Sequence, residues 1–395
     1  MEKGNLNGEP TILSNYEQIF SRISNIYYGK YGLINIYQNK WVTRKMKNKL
    51  NIPKNKLNVL IIGTKNSGKS SFVNWFFNDD VQKVSLSSST NKITFVTSGK
   101  RIETYNGRET LKEYNFLNKL KNVNPDIFKK KVRLPLKERT NFVTLIDTPG
   151  IDSIINKEEN QLFNILSNMI DDVDLILCFF EPNAQASIPL LKFIQNAYGK
   201  YPQKLCFCLS KADTFLSDNS SNCGIDTKIK IISSISERIS IFTNSKDIII
   251  HPFHIKTDIT DDKNEINLIC EIINNFIIKS IHKSFSQAYI DNEHIIKAVQ
   301  KASYSIKIHK TLFYFAIFML TLSICWFFAA IDSKSVYFSP YIYPFNLSTV
   351  FLLAYFYLTK PNKNDEEQIK GFLNNSKLIS EHKLKDISKM VQYLS

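Results

Sequence analysis

The sequence lacks cysteine clusters with the spacing of metal ligands. Its six cysteines are scattered from residue 178 to residue 325, and most stand within apolar runs. This pattern predicts buried, reduced thiols in a reducing compartment rather than disulfides or a cysteine-based metal site. The cysteines are Cys178, Cys206, Cys208, Cys223, Cys270 and Cys325.

The N-terminal segment lacks the apolar core of a secretory signal peptide. MEKGNLNGEP is polar, and Glu2 occupies the position where N-myristoylation requires glycine. We therefore expect residues 1–11 to form a flexible tail on an intracellular protein.

Acidic residues are also scarce relative to basic ones. There are 36 Asp and Glu against 51 Lys and Arg, which gives a net charge of +15. Such an excess predicts an acidic partner, either nucleic acid or an anionic membrane surface. We favour the membrane and expect no nucleic-acid partner, because the basic residues lack interleaved stacking aromatics at a recognisable spacing.

A phosphate-binding motif follows a short apolar run near the start of the chain. Val59–Ile62 predicts a buried strand and leads into Gly-x4-Gly-Lys-Ser, the P-loop spacing. Its glycines allow backbone N–H groups to turn towards phosphates, and the lysine reaches the β- and γ-phosphates. The serine hydroxyl would hold Mg²⁺. The predicted nucleotide-binding residues here are Gly63, Thr64, Lys65, Asn66, Ser67, Gly68, Lys69, Ser70 and Ser71.

Two further segments predict the rest of the phosphate and metal site. The strand Asn141–Ile146 ends in Asp-Thr-Pro-Gly, where Asp147 would bind Mg²⁺ and the Gly150 N–H would sense the γ-phosphate. Thr90 lies in a Ser/Thr-rich segment, where a nucleotide switch loop is expected, and would complete the Mg²⁺ shell. With Lys69 and Ser70, Thr90 and Gly150 are the predicted catalytic residues.

A base-reading motif follows another apolar run. Leu205–Leu209 leads into Ser210-Lys211-Ala212-Asp213, which matches the Asn/Thr-Lys-x-Asp motif of GTPases with serine in first place. Asp213 would accept hydrogen bonds from N1 and N2 of guanine, which adenine cannot donate, while the Lys211 stem packs over the base. Because Ser210 lacks the amide that usually braces the loop, the sequence leaves GTP and ATP both open as substrates.

The order of these motifs predicts the fold. Strands alternate with helical stretches over Asn58–Phe253, which indicates an α/β P-loop domain, a mostly parallel sheet with helices on both faces. Ile151 stands where Ras-like GTPases have a water-orienting glutamine, so hydrolysis is expected to be slow or to need a group from elsewhere.

With these motifs placed, the chain resembles the dynamin superfamily and, within it, the EHD (EH-domain-containing) ATPases. The similarity covers about Ile12–His309 and includes YEQIFSRISNIYYGKYGLINIY, GTKNSGKSSF, STNKITFVTSG, TLIDTPGID, VDLILCFFEP and LSKADTF. It implies a switch-loop threonine at Thr90, and a helical domain in which Ile12–Tyr37 packs with Glu265–His309. It also implies self-association through the G domain, membrane assembly and a preference for ATP. No EH domain or calcium-loop spacing follows.

Two apolar segments occupy the place of the EH domain. Leu312–Ile331 has twenty uncharged residues, enough to cross a bilayer, and a weaker run lies at about 337–358. We expect a transmembrane hairpin, with a buried core helix as the alternative for either segment. Flanking lysines predict an integral protein of an intracellular membrane with both termini in the cytosol.

The sequence therefore predicts a membrane-anchored dynamin-like GTP-binding protein that remodels, tethers or fuses cytosol-facing membranes. An EHD-like ATPase and a weakly hydrolysing membrane scaffold or receptor are the alternatives. The basic stretches Lys40–Lys56 and Lys129–Arg139 are candidates for lipid contact, and the apolar stripe near the C-terminus either packs or lies on a membrane. The predicted segments are a tail (1–11), a helical segment with a basic linker (12–56), the G domain (57–260), a helical domain (261–311), the hairpin (312–359) and an amphipathic tail (360–395).

Overall fold

A computed structural model describes residues 12–30, 32–46, 49–54, 56–84, 92–114, 116–117, 123–152, 157–182, 187–215, 223–255, 264–332, 347, 350–355, 357 and 363–392. The predicted tail 1–11, Thr90 and most of the second apolar segment lie outside these residues. The chain divides into an α/β unit, Lys54–Ser280, and a helical unit, Met1–Pro53 with Ile281–Ser395. The finer division into six segments stays a prediction.

The α-helices and β-strands are numbered in chain order. The helices are α1 (Ile12–Tyr28), α2 (Leu33–Tyr37), α3 (Lys40–Thr43), α4 (Lys69–Phe77), α5 (Gly107–Glu113), α6 (Lys157–Met169), α7 (Ile188–Lys200), α8 (Cys223–Thr243), α9 (Ile266–Asp332), α10 (Lys363–Leu378) and α11 (Leu384–Gln392). The strands are β1 (Leu57–Gly63), β2 (Ile93–Ser98), β3 (Glu103–Asn106), β4 (Phe128–Arg133), β5 (Val143–Asp147), β6 (Leu175–Phe180), β7 (Leu205–Leu209) and β8 (Ile250–Pro252). The turn Ile379–Lys383 between α10 and α11 is π-helical.

An eight-stranded sheet forms the centre of the α/β unit, in the order β3-β4-β2-β5-β1-β6-β7-β8. The pairs β1–β5, β1–β6, β6–β7, β7–β8 and β2–β4 are parallel, whereas β2–β5 and β3–β4 are antiparallel. The central strands β1 and β6 are buried along their whole length, as parallel strands covered on both faces are. The predicted mostly parallel sheet is confirmed.

Helices cover both faces of this sheet. On one face, α6, α7 and α8 contribute apolar side chains to a single core with alternate residues of the central strands, among them Leu60 and Ile146. On the other, Phe72 of α4 lies with its ring centroid 5.4 Å from that of Phe179 and 5.9 Å from that of Phe253. The sheet is therefore fixed from both sides, and its strand ends are held in place.

Strand β4 corrects one interpretation of the sequence. Its six residues, FKKKVR, alternate between buried and half-buried positions, and Lys130 is buried and paired with Glu113. Arg133 pairs with Asp79 at 3.2 Å. Beyond the strand, the Arg139 guanidinium lies 4.9 Å from the Trp75 ring centroid and contacts Cys270. These three basic side chains are engaged within the α/β unit, and contact of the segment Lys129–Arg139 with lipid stays a prediction.

The helical unit joins segments from both ends of the chain. The Tyr27 hydroxyl donates to Asp291 Oδ2 at 2.9 Å, and the Asn51 N–H donates to the same oxygen at 3.2 Å. Helix α1 packs on α11, whose Leu384 and Ile387 are buried. The C-terminal apolar stripe thus packs against protein in the part of the chain that the structure describes.

The later part of α9 is apolar and exposed. α9 has 67 residues in all, and its segment Ile266–Trp326 is long and apolar enough to cross a membrane by length and composition. Phe318 is 57% exposed and Trp326 is 61% exposed, and other large apolar side chains of this stretch are similarly uncovered. A buried core helix, the alternative for this segment, is therefore not what the structure contains.

Candidate nucleotide-binding site

The loop Gly63–Gly68 leaves the C-terminal end of β1 and leads directly into α4. A Cβ on Gly63 would lie 2.5 Å from the carbonyl oxygen of Phe179 on the neighbouring strand. Gly68 has a φ of 81°, a left-handed conformation that other residues rarely adopt. The turn therefore depends on both glycines, and α4 directs its first backbone N–H groups towards the loop.

Lys69 is the buried cation of this loop. Its ammonium group donates to the carbonyl oxygen of Thr64 at 2.6 Å, and lies 3.3 Å from both the Gly63 carbonyl oxygen and Ser67 Oγ. The residue is 6% exposed. Burial lowers the pKa of Lys69 to about 8, against the opposing effect of two nearby carboxylates. A polyphosphate bound in the loop would favour the charged form.

The side chains of Ser70 and Asp147 are in contact, as their predicted role in binding one Mg²⁺ ion requires. Ser70 Oγ donates to Asp147 Oδ2 at 2.8 Å, and the Gln82 carboxamide donates to the same oxygen at 2.9 Å. Asp147 is fully buried, and burial raises the pKa of its carboxyl. Within the described part of the chain, Asp147 Oδ1 has no hydrogen-bond partner. A buried carboxylate oxygen without a donor, beside a serine hydroxyl, fits the oxygen ligands that Mg²⁺ prefers.

The segment after β5 lies directly against the phosphate loop. A Cβ on Gly150 would lie 2.5 Å from the backbone nitrogen of Lys65, so no larger residue fits there without movement. The Lys65 N–H donates to Asp152 Oδ1 at 3.0 Å, and the Ile151 N–H donates to the Gly63 carbonyl oxygen at 3.1 Å. The Ile151 side chain is 3% exposed and belongs to the core. It offers no polar group for orienting water.

The base-reading segment braces the phosphate loop from β7. Ser210 Oγ lies 2.9 Å from the Ser67 carbonyl oxygen and 3.1 Å from the Phe180 carbonyl oxygen. This corrects the expectation that a serine here leaves the loop unbraced, since the hydroxyl supplies a donor. Lys211 has a φ of 54° and pairs with Glu181 at 2.5 Å. Asp213 is the second residue of the short helical turn Ala212–Phe215 that follows.

The structure therefore brings the predicted residues of three strand ends to one edge of the sheet. These are the phosphate-loop residues after β1, Asp147 and Gly150 after β5, and Ser210, Lys211 and Asp213 after β7. The switch-loop residue Thr90 lies outside the described residues. The assignment of individual roles to these side chains stays a prediction.

Sequence reasoning missed three residues of this edge, Gln82, Asp152 and Glu181. Asp152 had a signal, because it follows the Asp-Thr-Pro-Gly motif by two positions. Gln82 and Glu181 had none, since their partners Asp147 and Lys211 are 65 and 30 residues away in sequence.

Comparisons with known proteins give one family match and several distant structural similarities. Residues 59–212 match the model of the dynamin family. No curated protein matches the chain. A structure of an oligomerised bacterial dynamin pair, described as a mechanism for long-range sensing and tethering of membranes, is 13% identical with a TM-score of 0.45, over 99% of this chain and 80% of its own.

Two structures with lower TM-scores are nucleotide-bound GTPase-type proteins. Toc33 from Arabidopsis thaliana with GDP and Mg²⁺ is 17% identical with a TM-score of 0.33, over 67% of this chain and 95% of its own. Era with MgGDPNP and a segment of 16S ribosomal RNA is 14% identical with a TM-score of 0.34, over 56% of this chain and 57% of its own.

The family match lies within the α/β unit. It begins in β1 and ends at residue 212, so it includes the phosphate loop, Asp147, Gly150 and the start of the base-reading segment. Residues 59–212 of the α/β unit are therefore similar to the dynamin family, and this match covers less than half of the chain.

Proposed function

We propose that this protein is a membrane-anchored dynamin-like GTP-binding protein. It hydrolyses GTP in a dimerisation-dependent cycle and so remodels, tethers or fuses cytosol-facing membranes. The observation that carries the nucleotide part is the meeting of Lys69, Ser70 and Asp147 at the carboxyl ends of β1 and β5. This edge is where α/β sheets bind ligands.

Each residue has a role in this proposal. Lys69 donates hydrogen bonds to the β- and γ-phosphates in place of those to the loop carbonyls. The new hydrogen bonds are stronger because both partners are charged. Ser70, Asp147 and Thr90 hold Mg²⁺, and Gln82 fixes the orientation of the Asp147 carboxylate. When bound, Mg²⁺ neutralises charge on the two phosphates. The Gly150 N–H donates to the γ-phosphate.

The base is held by Lys211 and Asp213. GTP is favoured because Asp213 pairs with two donors on guanine that adenine does not have. The ion pair between Lys211 and Glu181 supports this arrangement, since it holds the lysine stem beside the end of β6. ATP is the alternative implied by the resemblance to the EHD family.

The membrane part of the proposal rests on α9. The apolar side chains from Leu312 to Trp326 are mostly exposed, and the helix is long and apolar enough to cross a membrane. Exposed apolar surface of this kind marks contact with lipid or with another protein. Residues 350–355 are helical and also present exposed apolar side chains. We propose that the two segments form a hairpin with both termini in the cytosol.

A second candidate function is supported by Ile151. Because its side chain is buried in the core, no group directly after the Asp-Thr-Pro-Gly motif orients water. The protein would then act through its nucleotide-bound state as a membrane scaffold or receptor.

Turnover measurements distinguish the two candidates. GTP hydrolysis by the full chain is measured at rising protein concentration, with and without anionic lipid vesicles. A dimerisation-dependent cycle predicts a specific rate that rises with concentration and with vesicles. A rate that stays at background under all these conditions contradicts the hydrolytic cycle and favours the scaffold.

A further inference from the structure

A groove outside the nucleotide site lies in the helical unit, next to the apolar stretch of α9. It has a volume of about 460 Å³ and is lined by Lys45, Gln300, Lys301, Tyr304, Ser305 and Ile308. We refer to it as the juxtamembrane groove. Five of its residues belong to α9 and the sixth, Lys45, follows α3.

The position of the groove along α9 is set by helix geometry. At 1.5 Å per residue, Ile308 lies about 6 Å and Lys301 about 16 Å before Leu312, where the apolar stretch begins. The polar headgroup layer on each side of a bilayer is about 5–8 Å thick. If α9 enters the membrane at Leu312, the groove therefore opens at and just above the headgroup layer.

The chemistry of the groove is that of a phosphate site with an apolar base. Lys45 and Lys301 supply two ammonium groups, and neither has an ion-pair partner among the described residues. Tyr304 and Ser305 add hydroxyl donors, whereas Ile308 gives an apolar surface on the membrane side. No acidic side chain is among the described residues that line it.

Lys45 is held beside α9 by the packing of α3. The ring of Trp41 lies edge-on to that of His309 with 5.9 Å between centroids, and its indole N–H donates to Asp365 at 3.2 Å. The Lys45 N–H donates to the Val42 carbonyl oxygen at 2.9 Å. The backbone of Lys45 is thus held next to a buried aromatic anchor, while its side chain is exposed.

The next lysines along α9 do not share these features. Lys310 pairs with Glu366, which compensates its charge. Lys307 is exposed and does not line the groove. The two groove lysines are therefore distinct from a general basic collar at the membrane surface.

We propose that the juxtamembrane groove binds the phosphate-bearing headgroup of an anionic phospholipid from the bilayer that α9 enters. This inference rests on the proposed membrane insertion. One acyl chain would lie along the apolar side near Ile308, while the phosphate meets Lys45 and Lys301. Binding would fix the depth and rotation of α9 at the membrane surface.

Lipid binding by the full chain in a neutral detergent tests this proposal. Native mass spectrometry is used to titrate phosphatidylglycerol against phosphatidylcholine of the same acyl chains. The wild type should retain one phosphatidylglycerol in preference. In the double variant Lys45→Gln/Lys301→Gln its affinity should fall about 30-fold, because each lysine near an anionic lipid contributes about 1 kcal/mol and 1.4 kcal/mol is tenfold.

The controls separate a site from general charge. Lys307→Gln removes one charge nearer the apolar stretch and should change the affinity less than about threefold. Lys301→Gln alone should give about a fivefold loss. If the wild type and the double variant retain phosphatidylglycerol equally, the groove is not the lipid site. The same holds if Lys307→Gln lowers the affinity as much as Lys301→Gln does. Displacement of the lipid by glycerol phosphate at the same concentration overturns the lipid assignment in favour of a free phosphate.

Failure of the groove and failure of the proposed function have different signatures. Both groove lysines are exposed, so their variants should fold, bind GTP and remain in the membrane after alkaline carbonate washing. If the wild type itself is washed off, the proposed membrane insertion fails, and the groove as a lipid site fails with it. If the wild type stays in the membrane but shows no preference for phosphatidylglycerol, only the groove is overturned.

Discussion

The carboxamide of Gln82 lies between a carboxylate and an ammonium group. Its NH₂ donates to Asp147 Oδ2 at 2.9 Å, and its carbonyl oxygen accepts from Lys131 at 2.7 Å. Asn74 of α4 bonds both backbone groups of Gln82, so the residue is held from helix and sheet together. With 7% exposure, it has no alternative partner in solvent. It therefore sets which Asp147 oxygen remains for a metal.

Replacing Gln82 with leucine should weaken the metal site without removing the phosphate loop. Gln82→Leu leaves a buried carboxylate oxygen and the Lys131 ammonium each one bond short, at a cost of about 1–3 kcal/mol. We expect the Mg²⁺ concentration for half-maximal GTP binding to rise about tenfold, while binding of GDP without Mg²⁺ changes little. Titration of a fluorescent GTP analogue with Mg²⁺ measures this.

The control for this variant is Gln203→Leu, at an exposed position before β7. It should leave the Mg²⁺ dependence unchanged. A Gln82→Leu protein with the Mg²⁺ dependence of the wild type would show that Gln82 has no part in positioning Asp147.

Site residues that belong to a short sequence motif could be predicted. Those whose role depends on a contact with a residue far away in sequence could not. The phosphate-loop residues, Asp147 and Asp213 each stand at a fixed spacing after an apolar strand. Gln82 and Glu181 acquire their contacts only when β5, β6 and the end of α4 come together. The bracing hydroxyl of Ser210 was missed for a related reason, because a short side chain reaches Ser67 only where the two loops approach closely.

At the scale of whole elements, the contact between the segment after β5 and the phosphate loop depends on one glycine. Gly150→Ala would place a Cβ 2.5 Å from the Lys65 nitrogen and 2.8 Å from its Cα, so the loop must move. We expect GTP affinity to fall at least about tenfold and the free energy of unfolding to fall by about 1–3 kcal/mol. Calorimetric titration and urea unfolding measure the two effects.

Gly199→Ala on α7 is the matched control. Nothing lies within 4 Å of a Cβ at that position, and alanine favours a helix. The free energy of unfolding of this variant should be about 0.5–1 kcal/mol higher than that of the wild type, and its GTP affinity should be unchanged. If Gly150→Ala keeps the GTP affinity and the stability of Gly199→Ala, then the two loops do not approach each other as closely as the structure shows.

Lys56 links the start of β1 to the end of β2. Its ammonium group donates to Thr97 Oγ1 at 2.9 Å and to the Ser98 carbonyl oxygen at 2.6 Å. Burial, and after it the charge of Lys130, lowers the pKa of Lys56 from 10.5 to about 8. Between these pH values the unfolded chain binds more protons than the folded protein does, so the free energy of unfolding rises with pH.

Lys56→Met should remove this contribution. From pH 8 to pH 10, the free energy of unfolding of the wild type should rise by on the order of 2 kcal/mol relative to that of the variant. Urea unfolding of both proteins across this range measures the difference. If the free energy of unfolding changes with pH in the same way for both proteins, then the pKa of Lys56 is not lowered in the folded protein.

The central strands were predictable from short apolar runs, and β3 and β4 were not. β4 has three consecutive lysines between two apolar residues and ends in an arginine, which resembles a solvated basic segment when read alone. Its basic side chains are accommodated because Glu113, Gln82 and Asp79 approach from other parts of the chain. Tertiary contacts, rather than local propensity, determine this strand.

The proposed function requires α9 to enter a membrane. Phe318 and Leu322 are exposed on its apolar stretch, and an arginine near a bilayer centre costs about 2.5–3.5 kcal/mol. We expect the wild type to resist alkaline carbonate extraction and the variant Phe318→Arg/Leu322→Arg to be released. Leu378→Arg, at an exposed position on α10, should stay in the membrane fraction. Release of the wild type would contradict insertion.

Equilibrium binding of GTP and ATP to the full chain, with and without Mg²⁺, tests whether the residues after β1, β5 and β7 form a nucleotide site. We predict Mg²⁺-dependent binding with GTP preferred. In Lys69→Ala the affinity should fall about 10- to 100-fold, because a charged hydrogen-bond donor is lost. Lys192→Ala, at an exposed position on α7, should bind as the wild type does. Absence of nucleotide binding, or equal binding by Lys69→Ala, would contradict the account.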